Sequence, residues 1–206
     1  MQNKIVIIDY GMGNLRSVQK KLLKVGANVE ISSKPDIIAG ADKLILPGVG
    51  HFSNGMKRLQ EYDIIEVLNE QVLSKKKPIL GICLGMQLMA NQSEEGNVKG
   101  LGWFNADIIK FTVKNRLKYK VPHMGWNNAN IKKESNLYKD ISDEAMFYFV
   151  HSFHIVCKDV QDILTISEYE YPFTSSIHKE NIYGTQFHPE KSHDWGEQLF
   201  KNFVNL

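Results

Sequence analysis

The chain has 206 residues, enough to bury one full core, and its 43% hydrophobic and 23% charged residues are the proportions of a globular protein, not of a disordered, fibrous or membrane-spanning one. Its 25 Lys and Arg against 23 Asp and Glu leave a net charge of +2, and only Arg16, Arg58 and Arg116 are arginines, too little for the phosphate-neutralising face of a nucleic-acid binder. Two cysteines, Cys83 and Cys157, make no disulfide framework, and the apolar run Ile5 to Ile8 is too short for a signal-peptide core or a membrane span, so a reducing, cytoplasmic setting is expected.

In chain order, Lys4 to Asp9 reads as a buried strand, and Leu15 to Val25 follows with helical spacing at Leu15, Val18, Leu22 and Val25 before Gly26. The alternation continues with a strand at 28–32, a short helix after Pro35, a strand at 43–46, a helix around 63–74 and a strand at 78–82. Unbroken apolar strands separated by helices predict a parallel sheet with both faces covered. After Gly102 the texture changes to aromatic and β-branched runs at 103–111, 147–153, 163–169 and 182–187, which predict a β-rich, partly antiparallel portion. The segment 195–204 reads as a closing helix, and no repeat or linker divides the chain, so 1–206 is expected to be one domain.

Three segments carry chemistry. Gly81-Ile82-Cys83-Leu84-Gly85 places a cysteine between glycines where a strand turns into a helix, the nucleophile-elbow pattern with a thiol. There the helix dipole and the free amide of Leu84 favour negative charge on the sulfur and on an adjacent oxyanion. A plainer reading is a buried cysteine acting as a small hydrophobe. His188-Pro189-Glu190 follows a strand, and in extended backbone residues two apart face the same way, so His188 serves as base and Glu190 as its orienting group. Alone, that triplet reads equally as a surface loop. Leu46-Pro47-Gly48-Val49-Gly50 opens another strand end into glycines on the same sheet edge, offering a second oxyanion donor near Val49 or Gly50. It also reads as an ordinary glycine turn. Gly11-Met12-Gly13-Asn14 lacks the third glycine of a dinucleotide fingerprint, since Arg16 stands there, and reads as a turn or partner-facing loop. His188, Glu190 and His193 have no matching second cluster, so no metal is expected.

With Gly-Ile-Cys-Leu-Gly-Met-Gln at 81–87 and Gln-Phe-His-Pro-Glu at 186–190, the chain resembles the class I glutamine amidotransferases. Segments 9–14, 46–50, 121–127, 148–153 and 188–192 extend the likeness over nearly its whole length, in particular to the glutaminase subunits of imidazole glycerol phosphate synthases. The resemblance implies a flavodoxin-like α/β fold, a mostly parallel central sheet flanked by helices with the additional antiparallel portion. It implies a Cys83, His188, Glu190 triad that hydrolyses L-glutamine through a thioester without a cofactor, and glutamine-holding positions at Gly48, Gly50, Gln87, Ser152 and Phe153. It places Asn14, Trp126, Tyr148 and Lys191 near a cyclase partner that receives the ammonia, although Trp126 and Tyr148 also suit a core. Isolated subunits of this kind are expected to be nearly silent until that partner holds its ligand.

Segments 102–107, 127–128 and 192–196 look more like glutaminases that feed an N-acetyl-sugar amidotransferase in surface-polysaccharide synthesis, which is the alternative for the partner. A cysteine peptidase or esterase using the same triad, and a subunit whose elbow is purely structural, are readings of other classes. Cys157, in a strand-like context, is assigned no chemistry.

Overall fold

The first apolar run becomes a strand buried on both faces. In the computed structural model, which describes residues 3–206, β1 (Lys4–Ile8) is flanked by β2 (Asn28–Ser32) and β3 (Lys43–Gly48), both parallel to it. Next come β4 (Ile79–Cys83), parallel to β3, and β14 (Ile182–Thr185), parallel to β4. Alternate side chains go to opposite faces: Val6, Ile8, Leu44, Leu46 and Ile79 join one apolar cluster, while Ile5, Ile7, Ile45, Leu80 and Ile82 join the other.

Helices cover both faces. On the second face lie α1 (Leu15–Lys24), through Val18 and Leu22, and α6 (His193–Val204), through Leu199, Phe200 and Phe203. On the first face α3 (Phe52–Glu61) and α4 (Ile65–Asn69) bury Phe52, Leu59 and Leu68, with the short α2 (Pro35–Ala39) contributing Ile38. A single helical turn, α5 (Leu84–Gln87), follows β4 without a linker.

Beyond β14 the sheet turns antiparallel. β13 (Tyr171–Lys179) pairs with β14, β11 (Phe153–Cys157) with β13, and β7 (Ala106–Lys110) with β11. β5 (Gln92–Ser93) runs parallel to β7 and carries β6 (Val98–Lys99) at the edge, while β12 (Ile163–Tyr169) and β9 (Asn130–Ile131) branch from β13. The result is a twelve-stranded mixed sheet; β8 (His123–Asn128) and β10 (Met146–His151) pair antiparallel as a separate two-stranded ribbon. The expected parallel half and antiparallel remainder are both present.

Several predicted elements differ in extent. The helix expected around 63–74 begins at Ile65 and passes into a π-helical turn at Glu70–Ser74. The strand expected at 103–111 starts only at Ala106, because Trp103 is held in a loop by its backbone N–H to Met89 O and its indole N–H to Asn69 Oδ1. The run 147–153 breaks at Ser152 into two strands of different sheets, β10 and β11.

Candidate active site

Cys83 ends β4 with φ 53° and ψ −109°, a left-handed conformation unusual for a residue bearing a side chain. Its neighbours explain how the chain reaches it. A Cβ on Gly81 would stand 2.7 Å from Met86 N, and one on Gly85 would overlap the Leu46 carbonyl oxygen. Both glycines are required for α5 to press on the sheet. The helix is one turn long, so the expected stabilisation by a helix dipole reduces to the local amides of its first residues, Leu84 foremost.

His188 is 1% exposed, and its backbone N–H donates to Tyr148 O on β10 at 2.9 Å. The residue itself is extended, as expected. Glu190 is not: a 3-10 turn at Pro189–Lys191 carries it back toward the ring, and that turn, not strand geometry, brings Nδ1 to 2.8 Å from Glu190 Oε1. Ser192 ties the turn down, accepting from Tyr148 N–H at 3.0 Å and donating to His188 O at 2.7 Å. With Nδ1–H committed to the carboxylate, Nε2 is left buried without a hydrogen bond of its own, as is Glu190 Oε2. Burial lowers the affinity of this imidazole for a proton, but the adjacent Cys83 sulfur and then Glu190 outweigh burial and push its pKa up to about 10. The arrangement favours a protonated imidazole beside the Cys83 sulfur. Tyr10, fully buried behind the elbow, is held neutral by burial and by Cys83, and its hydroxyl donates to Pro47 O at 2.8 Å.

In front of the sulfur lies a pocket of about 280 Å³ lined by Val49, Gly50, Cys83, Leu84, Gln87, Glu95, Pro122, Val150, His151, Ser152 and Phe153. A larger cavity, about 630 Å³, meets it only at Ser152 and holds none of the triad. Six of the residues expected around glutamine or its oxyanion therefore line the smaller pocket: Val49, Gly50, Leu84, Gln87, Ser152 and Phe153. Gly48 does not, because it is packed beneath, where a Cβ would stand 3.0 Å from Leu84 Cβ. The amide nitrogen of Gln87, expected to reach substrate, donates instead to Phe153 O and Gln186 Oε1, both at 3.0 Å.

Sequence reasoning gave no individual role to Glu95, His123 or Gln186, and marked His151 only within the 148–153 segment that carries the resemblance. Among the described residues Glu95 is the one carboxylate lining the pocket, and it accepts from the Phe52 N–H at 2.8 Å. His151 is buried; its Nδ1 lies 2.8 Å from Phe153 O, so Nδ1 carries the proton, and its Nε2 accepts from His123 Nδ1 at 3.1 Å. Burial lowers His123 to about 4 and holds His151 well below its ordinary value, so both rings are neutral. No spacing marks the histidine pair in sequence, because His123 and His151 meet only across the β8–β10 ribbon.

The four expected partner-facing residues fall on the surface or near it. Trp126 is 43% exposed, not a core aromatic, and stacks on His193 with ring centroids 4.9 Å apart. Tyr148 faces it across the β8–β10 ribbon, and Lys191 Nζ stands 5.5 Å from the Tyr148 ring. Met124 and Met146 are exposed on the same ribbon. Asn14 has a local duty as well, capping α1 by accepting from Ser17 N–H at 3.3 Å.

Comparison with known proteins agrees with this geometry. Residues 6–206 match the family model "Glutamine amidotransferase class-I". The chain is 50% identical over 200 residues to "Imidazole glycerol phosphate synthase subunit HisH 2" of Methanococcus maripaludis, covering 97% of this chain and 98% of that one. It is 48% identical over 202 residues to the protein of the same name in Pseudomonas aeruginosa, covering 98% and 99%. Among solved structures, PurLQS from Thermotoga maritima superposes with a TM-score of 0.72 at 15% identity, over 100% of this chain and 99% of that one, a likeness of fold. A cysteine elbow facing a histidine–glutamate pair, on a sheet shared with such structures and in a sequence half identical to such relatives, has one family in common: the chain belongs to the class I glutamine amidotransferases.

Proposed function

We propose that the chain is the glutaminase subunit of an imidazole glycerol phosphate synthase, acting as one domain over 1–206 in the cytoplasm and supplying ammonia to a cyclase subunit. The observation that carries the chemistry is the meeting of His188, held by Glu190, with Cys83, whose side chain opens onto a pocket that Glu95 also lines. The printed names of relatives at 48–50% identity support the pathway.

The Cys83 thiolate attacks the carboxamide carbon of glutamine, an S–C bond forms, and the charge moves to the carbonyl oxygen. The amides of Leu84 and of the Val49–Gly50 segment are the donors for that oxyanion. His188 gives its proton to the departing nitrogen, the C–N bond breaks, and ammonia leaves behind a γ-glutamyl thioester. Water then attacks with His188 taking its proton, and the sulfur leaves as thiolate with glutamate released. Glu190 holds Nδ1–H throughout, so Nε2 stays aimed at the reacting atoms. Glu95 offers the pocket a complement to the substrate's ammonium group, which an esterase or peptidase site has no need of. Ser152 and Phe153 form the opposite wall, Gln87 braces it, Gly48 lets the strand end pass close to the elbow, and Gly50 lines the pocket.

Docking falls to the outer face of the β8–β10 ribbon, with Met124, Trp126, Met146 and Tyr148 as apolar anchors and Lys191 and Asn14 at its margins. Such an exposed apolar face, rimmed by polar groups, suits a protein partner. The test is glutamate release by the chain mixed with the cyclase subunit from the same genome, with and without the cyclase ligand. A low basal rate that rises by orders of magnitude supports the reading. Equal turnover with and without the cyclase refutes it, and stimulation by an N-acetyl-sugar amidotransferase alone reassigns the acceptor while leaving the triad's chemistry in place.

A further inference from the structure

Gln186 has no task in the scheme above. It is fully buried between β14 and His188, its backbone N–H donates to Ser175 O at 2.9 Å, and its side-chain amide lies between Gln87 and Cys83. Gln87 Nε2 is 3.0 Å from Gln186 Oε1, and Gln186 Nε2 is 3.7 Å from Cys83 Sγ. The two ends of an amide are chemical opposites, so which end meets the sulfur matters.

A backbone group decides it. The Phe153 carbonyl can only accept, so the Gln87 atom 3.0 Å from it is the NH2 nitrogen. That same nitrogen faces Gln186, which must answer with its oxygen. The end of Gln186 left toward Cys83 is therefore its NH2. The reference carbonyl is fixed from a second side, because His151 Nδ1 also donates to Phe153 O, at 2.8 Å.

We propose that Gln186 is a further catalytic residue, a hydrogen-bond donor aimed at the reacting sulfur and locked in that orientation, through Gln87, by the Phe153 carbonyl. The proposal takes its reaction from the glutaminase reading, although its geometry does not depend on it. When the sulfur is ionised, the amide N–H shares its negative charge. When the S–C bond forms, the charge passes to the carbonyl oxygen and the donor loses its acceptor. When water breaks the thioester, the S–C electron pair returns to sulfur, and Gln186 meets the leaving thiolate again. The other titratable groups around the sulfur have different duties: His188 supplies the charge and the proton, Tyr10 donates to Pro47 O, and Glu95 lies across the pocket.

The test reads the thiol directly, without glutamine. Alkylation of the full chain by iodoacetamide is followed against pH for wild type, Gln186→Met and Gln186→Glu, with Cys83→Ser as the background. Cys157 stays silent in that range, because burial first and nearby acidic residues second push its thiol up to about 12. In Gln186→Met the midpoint moves up by about one pH unit, a roughly tenfold loss of thiolate below it. Glutamate release falls about tenfold in kcat with KM within about twofold, since the lost contact is to the nucleophile and not to bound glutamine. Circular dichroism checks folding; should Gln186→Met fail to fold, Gln186→Glu keeps the shape, replaces the donor by an acceptor and moves the midpoint at least as far. Gln87→Met, which unlocks the amide without removing it, gives a smaller shift of the same sign. A folded Gln186 variant with an unchanged alkylation midpoint overturns the proposal while leaving the glutaminase reading intact. Midpoints that move as described in the variants, with a wild type that releases no glutamate with any partner, remove the glutaminase reading and leave the donor in place.

Discussion

Replacing Gly81 by alanine measures how closely the elbow is pressed onto the sheet. Gly81 is in register with Leu46 on one side and Gly184 on the other, and Met86 of α5 lies over it. An added Cβ would stand 2.7 Å from Met86 N, 2.8 Å from Met86 Cα and 2.7 Å from Met89 Cε. The methionine terminus can swing aside, whereas the Met86 backbone must retreat by about 0.7 Å to reach ordinary contact. Gly81 is not among the positive-φ glycines, so alanine meets no backbone penalty and recovers about 0.4–1 kcal/mol through the unfolded chain. Against an overpacking cost of about 1–3 kcal/mol, the net is a loss of at most about 2.6 kcal/mol, centred near 1 kcal/mol. Catalysis suffers more than stability. Because α5 begins directly after Cys83, the displacement carries the nucleophile and the Leu84 amide with it, and kcat/KM is expected to fall on the order of 100-fold. Urea unfolding gives the first quantity and glutamate release in the presence of the partner gives the second. Gly26→Ala is the control: φ there is +82° and a Cβ meets nothing within 4 Å, so it loses about 1–2 kcal/mol from backbone strain alone and keeps its kcat/KM. Stability and kcat/KM both unchanged in Gly81→Ala would show that the helix does not rest on the sheet as described.

Glu190→Gln removes the charge that holds the imidazolium but not the shape; kcat is expected to drop about 1,000-fold or more with KM little changed, and a drop under tenfold in steady-state glutamate release would deny Glu190 its role. Trp126→Ala leaves the unfolding free energy within about 1 kcal/mol, because the residue lies on the surface and not in the core, yet weakens association with the cyclase by about 2 kcal/mol or more in calorimetric titration. The neutral His123 sets a pH dependence of stability. Burial holds its folded-state pKa at about 4, below the ordinary 6.5, so the unfolded chain binds the extra proton between those values; its contribution is full above pH 6.5 and is lost as pH falls toward 4. In His123→Gln, melting temperature therefore declines less steeply over that range, and identical slopes would contradict a neutral ring.

The parallel half of the fold was legible because burial on both faces leaves a signature that composition cannot hide: Ile5 to Ile8 and Leu44 to Leu46 are apolar without interruption. α3 was not, since Gly55 interrupts it and is there to admit Leu88, whose Cδ2 would stand 3.0 Å from a Cβ. β13 escaped for a different reason. Its buried Thr174, Ser175 and Ser176 look like a polar turn until Thr165 of β12 is alongside to exchange hydroxyl hydrogen bonds with Ser175 and Ser176 at 2.8 and 2.7 Å. The same division holds for the site. Cys83 and the His188–Glu190 pair announce themselves by local pattern, and Trp126 was marked by resemblance. Glu95, Gln186 and His123 acquire meaning only once distant segments are laid side by side.

The buried histidines bear on the fate of the product. A cavity with imidazole in its wall would ordinarily trap a newly formed base as its conjugate acid. Here burial keeps His123 and His151 from carrying a spare proton near neutral pH, and His188 spends its own on the departing nitrogen. Ammonia would then leave the sulfur uncharged, with its lone pair free. In that form it crosses apolar surface without losing a hydration shell and arrives at an acceptor still a nucleophile, so the neutrality of the wall preserves the reactivity of what the pocket makes.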